Sequence, residues 1–130
     1  LRSVIVHLRK ATEQEITKFL SETYPFQEEP PWICLANGDA CLYINFNSHN
    51  KADLKELATA LGYQPAMSVM ADVSGRHAGY EEVHSFVSAL LKKFDGAVQD
   101  DNSEHFWTLD EIDSGHLTGG RRFFDFGTVR

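Results

Sequence analysis

The stretch from Gly96 to Gly115, GAVQDDNSEHFWTLDEIDSG, carries six carboxylates, one histidine and one tryptophan. Three kinds of chemistry suit that composition. Carboxylates converging on one point hold a hard cation such as Mg²⁺ or Ca²⁺. A histidine beside a carboxylate does acid–base work. A negative surface around an aromatic anchor grips a cationic partner. The calcium-loop pattern needs a central glycine, and DDNSEHFWTLDE has none, with bulky Phe106 and Trp107 where such a loop must bend. No metal site is therefore expected. An acid–base pair made from His105 or His77 with Asp100 or Asp101 stays open, because such partners meet in space rather than in sequence. The recognition reading names Asp100, Asp101, Glu104, His105, Trp107, Asp110, Glu111 and Asp113 as candidate partner-binding residues. Trp107 reads at least as well as the residue that pins this segment to the core.

The other reactive residues give little. Among the histidines, His7 lies in an apolar strand pattern, which suits a structural role, and His84 flanks the stripe of a helix. No pair has the H-x-x-x-H or H-E-x-x-H spacing that sets two ligands on one helical face. No G-x-S-x-G nucleophile elbow, Walker A loop or dinucleotide fingerprint is present. Ser74 and Arg76 sit in an S-G-R turn ahead of a helix, an arrangement that can hold phosphate. Glu81 and Glu82 follow at once and would repel it. No catalytic residues and no cofactor are expected.

Bulk composition narrows the class. With 130 residues, 42% hydrophobic and 24% charged, the chain suits one globular domain over residues 1–130. The net charge of −7 disfavours nucleic acid as a partner. No apolar run approaches the ~20 residues of a membrane helix. The opening LRSVIVHLRK is too short and too interrupted for a signal peptide. Cys34 and Cys41 read as free thiols, which points to a reducing, cytoplasmic compartment.

The elements that would position these residues follow from periodicity. Ser3–Leu8 reads as a strand. Thr12 opens a capping box (T-E-Q-E) before a helix that ends near Tyr24, ahead of Pro25. Residues 27–31 read as a loop, with Tyr24, Phe26 and Trp32 around it. WICLANGDACLYINF reads as a hairpin turning on Asn37-Gly38. That register sets Cys34 opposite Cys41 and puts Ile33, Leu35, Leu42, Ile44 and Phe46 on one face. Asn50 caps a second helix closed by Gly62. Residues 64–73 form a strand, with Met67, Val69 and Ala71 alternating against Ser68, Met70 and Asp72. The run YEEVHSFVSALLKKF is a third helix, stopped by Gly96. Short strands follow at 96–99 and, after a flexible LTGG, at 121–126, while 108–112 is a short strand or helical turn. The order β-α-β-β-α-β-α-β implies an α+β fold: a mostly antiparallel sheet with a central hairpin, packed by about three helices.

The run VSGRHAGYEEV, then LLKKFDGAVQDD, then WTLDEI resembles the small acidic immunity proteins of bacterial polymorphic toxin and type VI secretion systems. The shared grammar is an amphipathic helix ending in F-x-G, a short strand ending in Asp, and W-T-x-x-E. It covers about a third of the chain. The resemblance implies a non-catalytic cytoplasmic protein that neutralises a cognate secreted toxin by covering its active site. The partner would be basic there, and homo-oligomerisation is left open. The alternative is a small metal-dependent hydrolase using the acidic 100–113 segment and a histidine. A third reading is an adaptor that dimerises along a sheet edge.

Overall fold

The structure is a computed structural model. It describes residues 2–24, 26–29, 32–37, 40–47, 51–73, 80–101 and 103–124, with the backbone alone over the described parts of 26–41 and at 47. Asn50 as a cap, the glycine of the Asn37-Gly38 turn, the 74–79 turn with Ser74, Arg76 and His77, and residues 125–126 lie outside the described residues.

The elements run β1 (Arg2–Leu8), α1 (Glu13–Thr23), β2 (Phe26–Glu29), β3 (Trp32–Asn37), β4 (Ala40–Asn47), α2 (Lys51–Leu61), β5 (Met67–Val73), α3 (Tyr80–Phe94), β6 (Gly96–Asp100) and α4 (Leu109–Ser114). Six strands form one sheet in the order β2-β3-β4-β5-β1-β6, and every pairing is antiparallel. The fold is α+β. No helix among the described residues is long and apolar enough to cross a membrane.

Strand alternation divides the sheet into two unlike faces. Val4, Val6 and Leu8 of β1, Val69, Ala71 and Val73 of β5, Leu42 and Ile44 of β4, and Val98 of β6 point to one side, where all are buried. They pack in one cluster with Ile16 and Leu20 of α1 and Val83, Phe86, Val87, Leu90 and Leu91 of α3. The α1 cap forms as its sequence dictates. Glu15 N–H donates to Thr12 Oγ1 and Thr12 N–H donates back to Glu15 Oε1. The opposite face presents Ile5, His7, Ser68, Met70, Asp72 and Gln99. Its polar members bond to one another: Ser3 Oγ donates to the Asp72 carboxylate, and Ser68 Oγ lies 2.7 Å from His7 Nδ1. α2 lies over part of it, and α2 buries none of its residues fully.

Several elements differ from the sequence reading. Residues 26–29 pair with β3 as an edge strand rather than forming a loop. An edge strand is held by backbone bonds on one side and needs no apolar alternation. The hairpin is shifted by two residues: Asn37 opposes Ala40, Leu35 opposes Leu42, and Cys34 opposes Tyr43 instead of Cys41. This register sets like apolar residues across from each other, Ile33 with Ile44 and Leu35 with Leu42. A two-residue shift keeps every side chain on its face, so the assignment of Leu42 and Ile44 to the core survives. The left-handed residue that ends α3 is Asp95 (φ 61°), not Gly96. Gly96 is required for another reason: a Cβ there would stand 2.2 Å from the carbonyl oxygen of His7. Residues 121–124 do not extend as a strand. Thr118 and Arg121 exchange both backbone hydrogen bonds around Gly119 and Gly120, whose φ values of 61° and 81° suit a tight turn. The chain then turns inward and buries Phe123 and Phe124.

Candidate functional site

The acidic segment is built around Trp107. Its backbone N–H and C=O bond to Val98, extending the sheet by one bridge beyond β6. Alternation across that bridge sends Trp107 to the core side, where it is 1% exposed, and Phe106 to the opposite side, beside the His7 ring. Next comes a second capping box. Thr108 Oγ1 accepts from Glu111 N–H and Glu111 Oε1 accepts from Thr108 N–H, so α4 starts there as a helix. Gly115 (φ 72°) ends it, and the His116 N–H turns back onto the Glu111 carbonyl.

This scaffold sorts the eight candidate residues into different roles. Asp100 is buried, and its Oδ2 accepts from the Phe124 N–H at 2.6 Å, tying the C-terminal turn to β6. Trp107 is likewise inside, so it anchors the segment instead of presenting itself to a partner. Asp101 is exposed and accepts from the Ser3 N–H, while Glu104, Asp110 and Asp113 are exposed. Asp113 lies 3.7 Å from His84, whose ring stacks on Tyr80.

Glu111 and His105 belong to a separate cluster. His105 Nε2 is 3.0 Å from Glu111 Oε1 and 3.2 Å from Oε2, and His116 Nε2 is 3.5 Å from Oε2. Both imidazoles meet the Trp107 ring edge-on, at centroid distances of 4.7 and 5.9 Å. Burial acts to raise the Glu111 pKa, but the Thr108 N–H and the two histidines together outweigh it and hold the carboxyl below the usual range. His116 did not stand out in the sequence because its partners are six residues apart from one another and lie in a loop and a helix. The signal was present as T-L-D-E followed by S-G-H: a capping box, then a glycine stop that folds the next residue back.

A concave feature lies on the polar face of the sheet. A groove of about 480 Å³ runs between α2 and the strands β1 and β6. Ile5, Leu57, Ala60 and Phe106 supply its apolar wall, and His7 and Gln99 its polar floor. Asp53 and Glu56 from α2 and Glu104 from the acidic segment line it too, with no lysine or arginine among its described lining residues. His7 is fixed in place, bonded to Ser68 at Nδ1 and 3.2 Å from Gln99 Oε1 at Nε2. Its carbonyl accepts from Tyr63 Oη at 2.8 Å. Burial pushes the Tyr63 phenol up, and the Arg9 guanidinium, 4.2 Å over its ring, partly opposes that. A histidine locked this way, with a serine that is itself 1% exposed, makes a structural pair rather than a nucleophile and base.

No protein-family model, curated protein or solved structure matches this chain.

Proposed function

We propose that the protein is a non-catalytic binding protein of the immunity type, which neutralises a cognate secreted bacterial toxin in the cytoplasm by covering its active site. The observation that carries this reading is the groove between α2 and the sheet. Three carboxylates, Asp53, Glu56 and Glu104, line a partly apolar groove whose described lining residues include no lysine or arginine. Such a groove accepts an arginine or lysine of a partner: the apolar wall takes the methylene stem and the carboxylates take the head. The net charge of −7 attracts a basic partner from a distance and raises the association rate. A toxin that acts on nucleic acid or nucleotides carries such basic residues where phosphates bind, so a chain inserted there blocks the substrate.

The test is co-expression with the product of the adjacent gene. Protection of growth, together with a 1:1 complex, is expected. Replacing Glu56 and Glu104 by Lys should weaken protection while leaving the fold intact, because both are exposed. A folded protein that neither protects against nor binds that product would overturn the reading.

A further inference from the structure

We propose that His105, Glu111 and His116 form a binding site for a divalent transition-metal ion of the zinc class, with the Nε2 atoms of the two imidazoles and Oε2 of Glu111 as ligands. The site is independent of the groove, so either can fail without the other.

The distances carry the argument. In a tetrahedral zinc site with bonds of about 2.0–2.1 Å, neighbouring ligand atoms stand roughly 3.3 Å apart. Glu111 Oε2 lies 3.2 Å from His105 Nε2 and 3.5 Å from His116 Nε2, so two of the three edges already have that length. Each of the three residues offers a ligand atom within 4.8 Å of those of the other two, and closing the imidazole–imidazole edge is a side-chain movement. The other carboxylate oxygen, Oε1, is held by the Thr108 N–H at 3.0 Å. That bond fixes the carboxylate and leaves Oε2 to the ion, as the outer partners of metal ligands commonly do.

The backbone supports the same arrangement. Trp107 is locked to Val98 by two backbone hydrogen bonds of 2.7 and 2.8 Å and gives both imidazoles an edge-on neighbour. The capping box and the Gly115 stop fix Glu111 and His116 on one short turn. The side chains are 30%, 27% and 45% exposed, so an ion can enter and a fourth position can hold water. Two imidazoles with one carboxylate suit Zn²⁺, Co²⁺, Ni²⁺ or Cu²⁺, whereas Mg²⁺ and Ca²⁺ require oxygen ligands. The ion would clip residues 105–116 into one loop.

The test uses Trp107 as reporter. With Trp32→Phe in the full chain, Trp107 is the remaining tryptophan of the two. Titration with Co²⁺ is expected to quench its fluorescence and give the visible absorption of a four-coordinate site, and Zn²⁺ should reverse both. His105→Asn and His116→Asn should each weaken Co²⁺ binding at least about tenfold, while His84→Asn leaves it unchanged. Circular dichroism checks that each variant folds, and His116→Asn, at a half-exposed position, serves if His105→Asn does not. Wild-type affinity in the His116→Asn variant would overturn the site. So would the lack of any Co²⁺ response up to about 1 mM, the weak end of specific binding.

Discussion

Trp107 is the residue on which the acidic segment hangs, and removing its side chain should be costly. It is 1% exposed, packs edge-on against His105, His116 and Phe123, and belongs to the same buried cluster as α3 and β1. Truncating a buried tryptophan to alanine loses its transfer free energy and leaves a cavity, about 3–5 kcal/mol in total. Domains of this kind are stable by only about 5–15 kcal/mol. At about 4 °C per kcal/mol for a domain of this size, Trp107→Ala should lower Tm by roughly 15 °C. Trp107→Phe separates volume from polarity. Trp107 Nε1 is buried with no hydrogen-bond partner among the described residues, and an unpaired buried donor costs about 1–3 kcal/mol. Phenylalanine removes that donor while keeping most of the ring, so it should lie within about 1.5 kcal/mol of wild type. Urea unfolding followed by far-ultraviolet circular dichroism measures both. Leu117→Ala, at a 58% exposed position, should stay within about 0.5 kcal/mol as the control. If Trp107→Ala costs less than about 1.5 kcal/mol, or no more than Trp107→Phe, the anchoring argument is refuted.

Asp100→Asn should cost about 1.5–3 kcal/mol in the same unfolding assay, because it weakens a buried, charge-assisted bond to the Phe124 N–H. Asp101→Asn, at an exposed position, should cost under about 1 kcal/mol. Gly96→Ala forces a Cβ to within 2.2 Å of a backbone oxygen of β1 and should cost about 3 kcal/mol or more, read as a drop in the urea midpoint. Glu111→Gln keeps the acceptor for Thr108 N–H and removes the charge. Because the folded-state pKa of Glu111 is depressed, its charge stabilises the fold above the ordinary glutamate pKa, and this is lost as pH falls through the folded value. The variant should therefore be less stable than wild type near neutral pH, with the gap closing in acid. A gap that does not change with pH would contradict that assignment.

The sequence carried the fold wherever a residue type has one physical use. Thr12 with Glu15 fixed the start of α1, and the alternation of Met67, Val69 and Ala71 fixed the core face of β5. The core face of β4 came out right, with Leu42 and Ile44 buried, although the hairpin register did not, since Asn37-Gly38 sets a preferred turn while cross-strand pairing shifts it by two. Residues 26–29 were not legible as a strand because edge pairing needs only backbone. Residues 121–124 carry a strand-like apolar pair, yet Gly119 and Gly120 turn the chain and Asp100 captures the Phe124 N–H. In the acidic segment, charge could be counted but burial could not. Asp100 and Asp101 are adjacent and alike in sequence, but the first faces the core and the second faces solvent. The groove was invisible for a similar reason, as Asp53, Glu56 and Glu104 meet only through the placement of α2 across β1 and β6.

The central claim is that this protein works by seating a cationic side chain of a partner among Asp53, Glu56 and Glu104. The most direct measurement is the stopped-flow association rate with the adjacent gene's product, from low to high salt. The rate should fall steeply as salt rises, and Glu56→Lys with Glu104→Lys should slow low-salt association by about tenfold or more. A rate indifferent to salt and to both charge reversals would contradict the account.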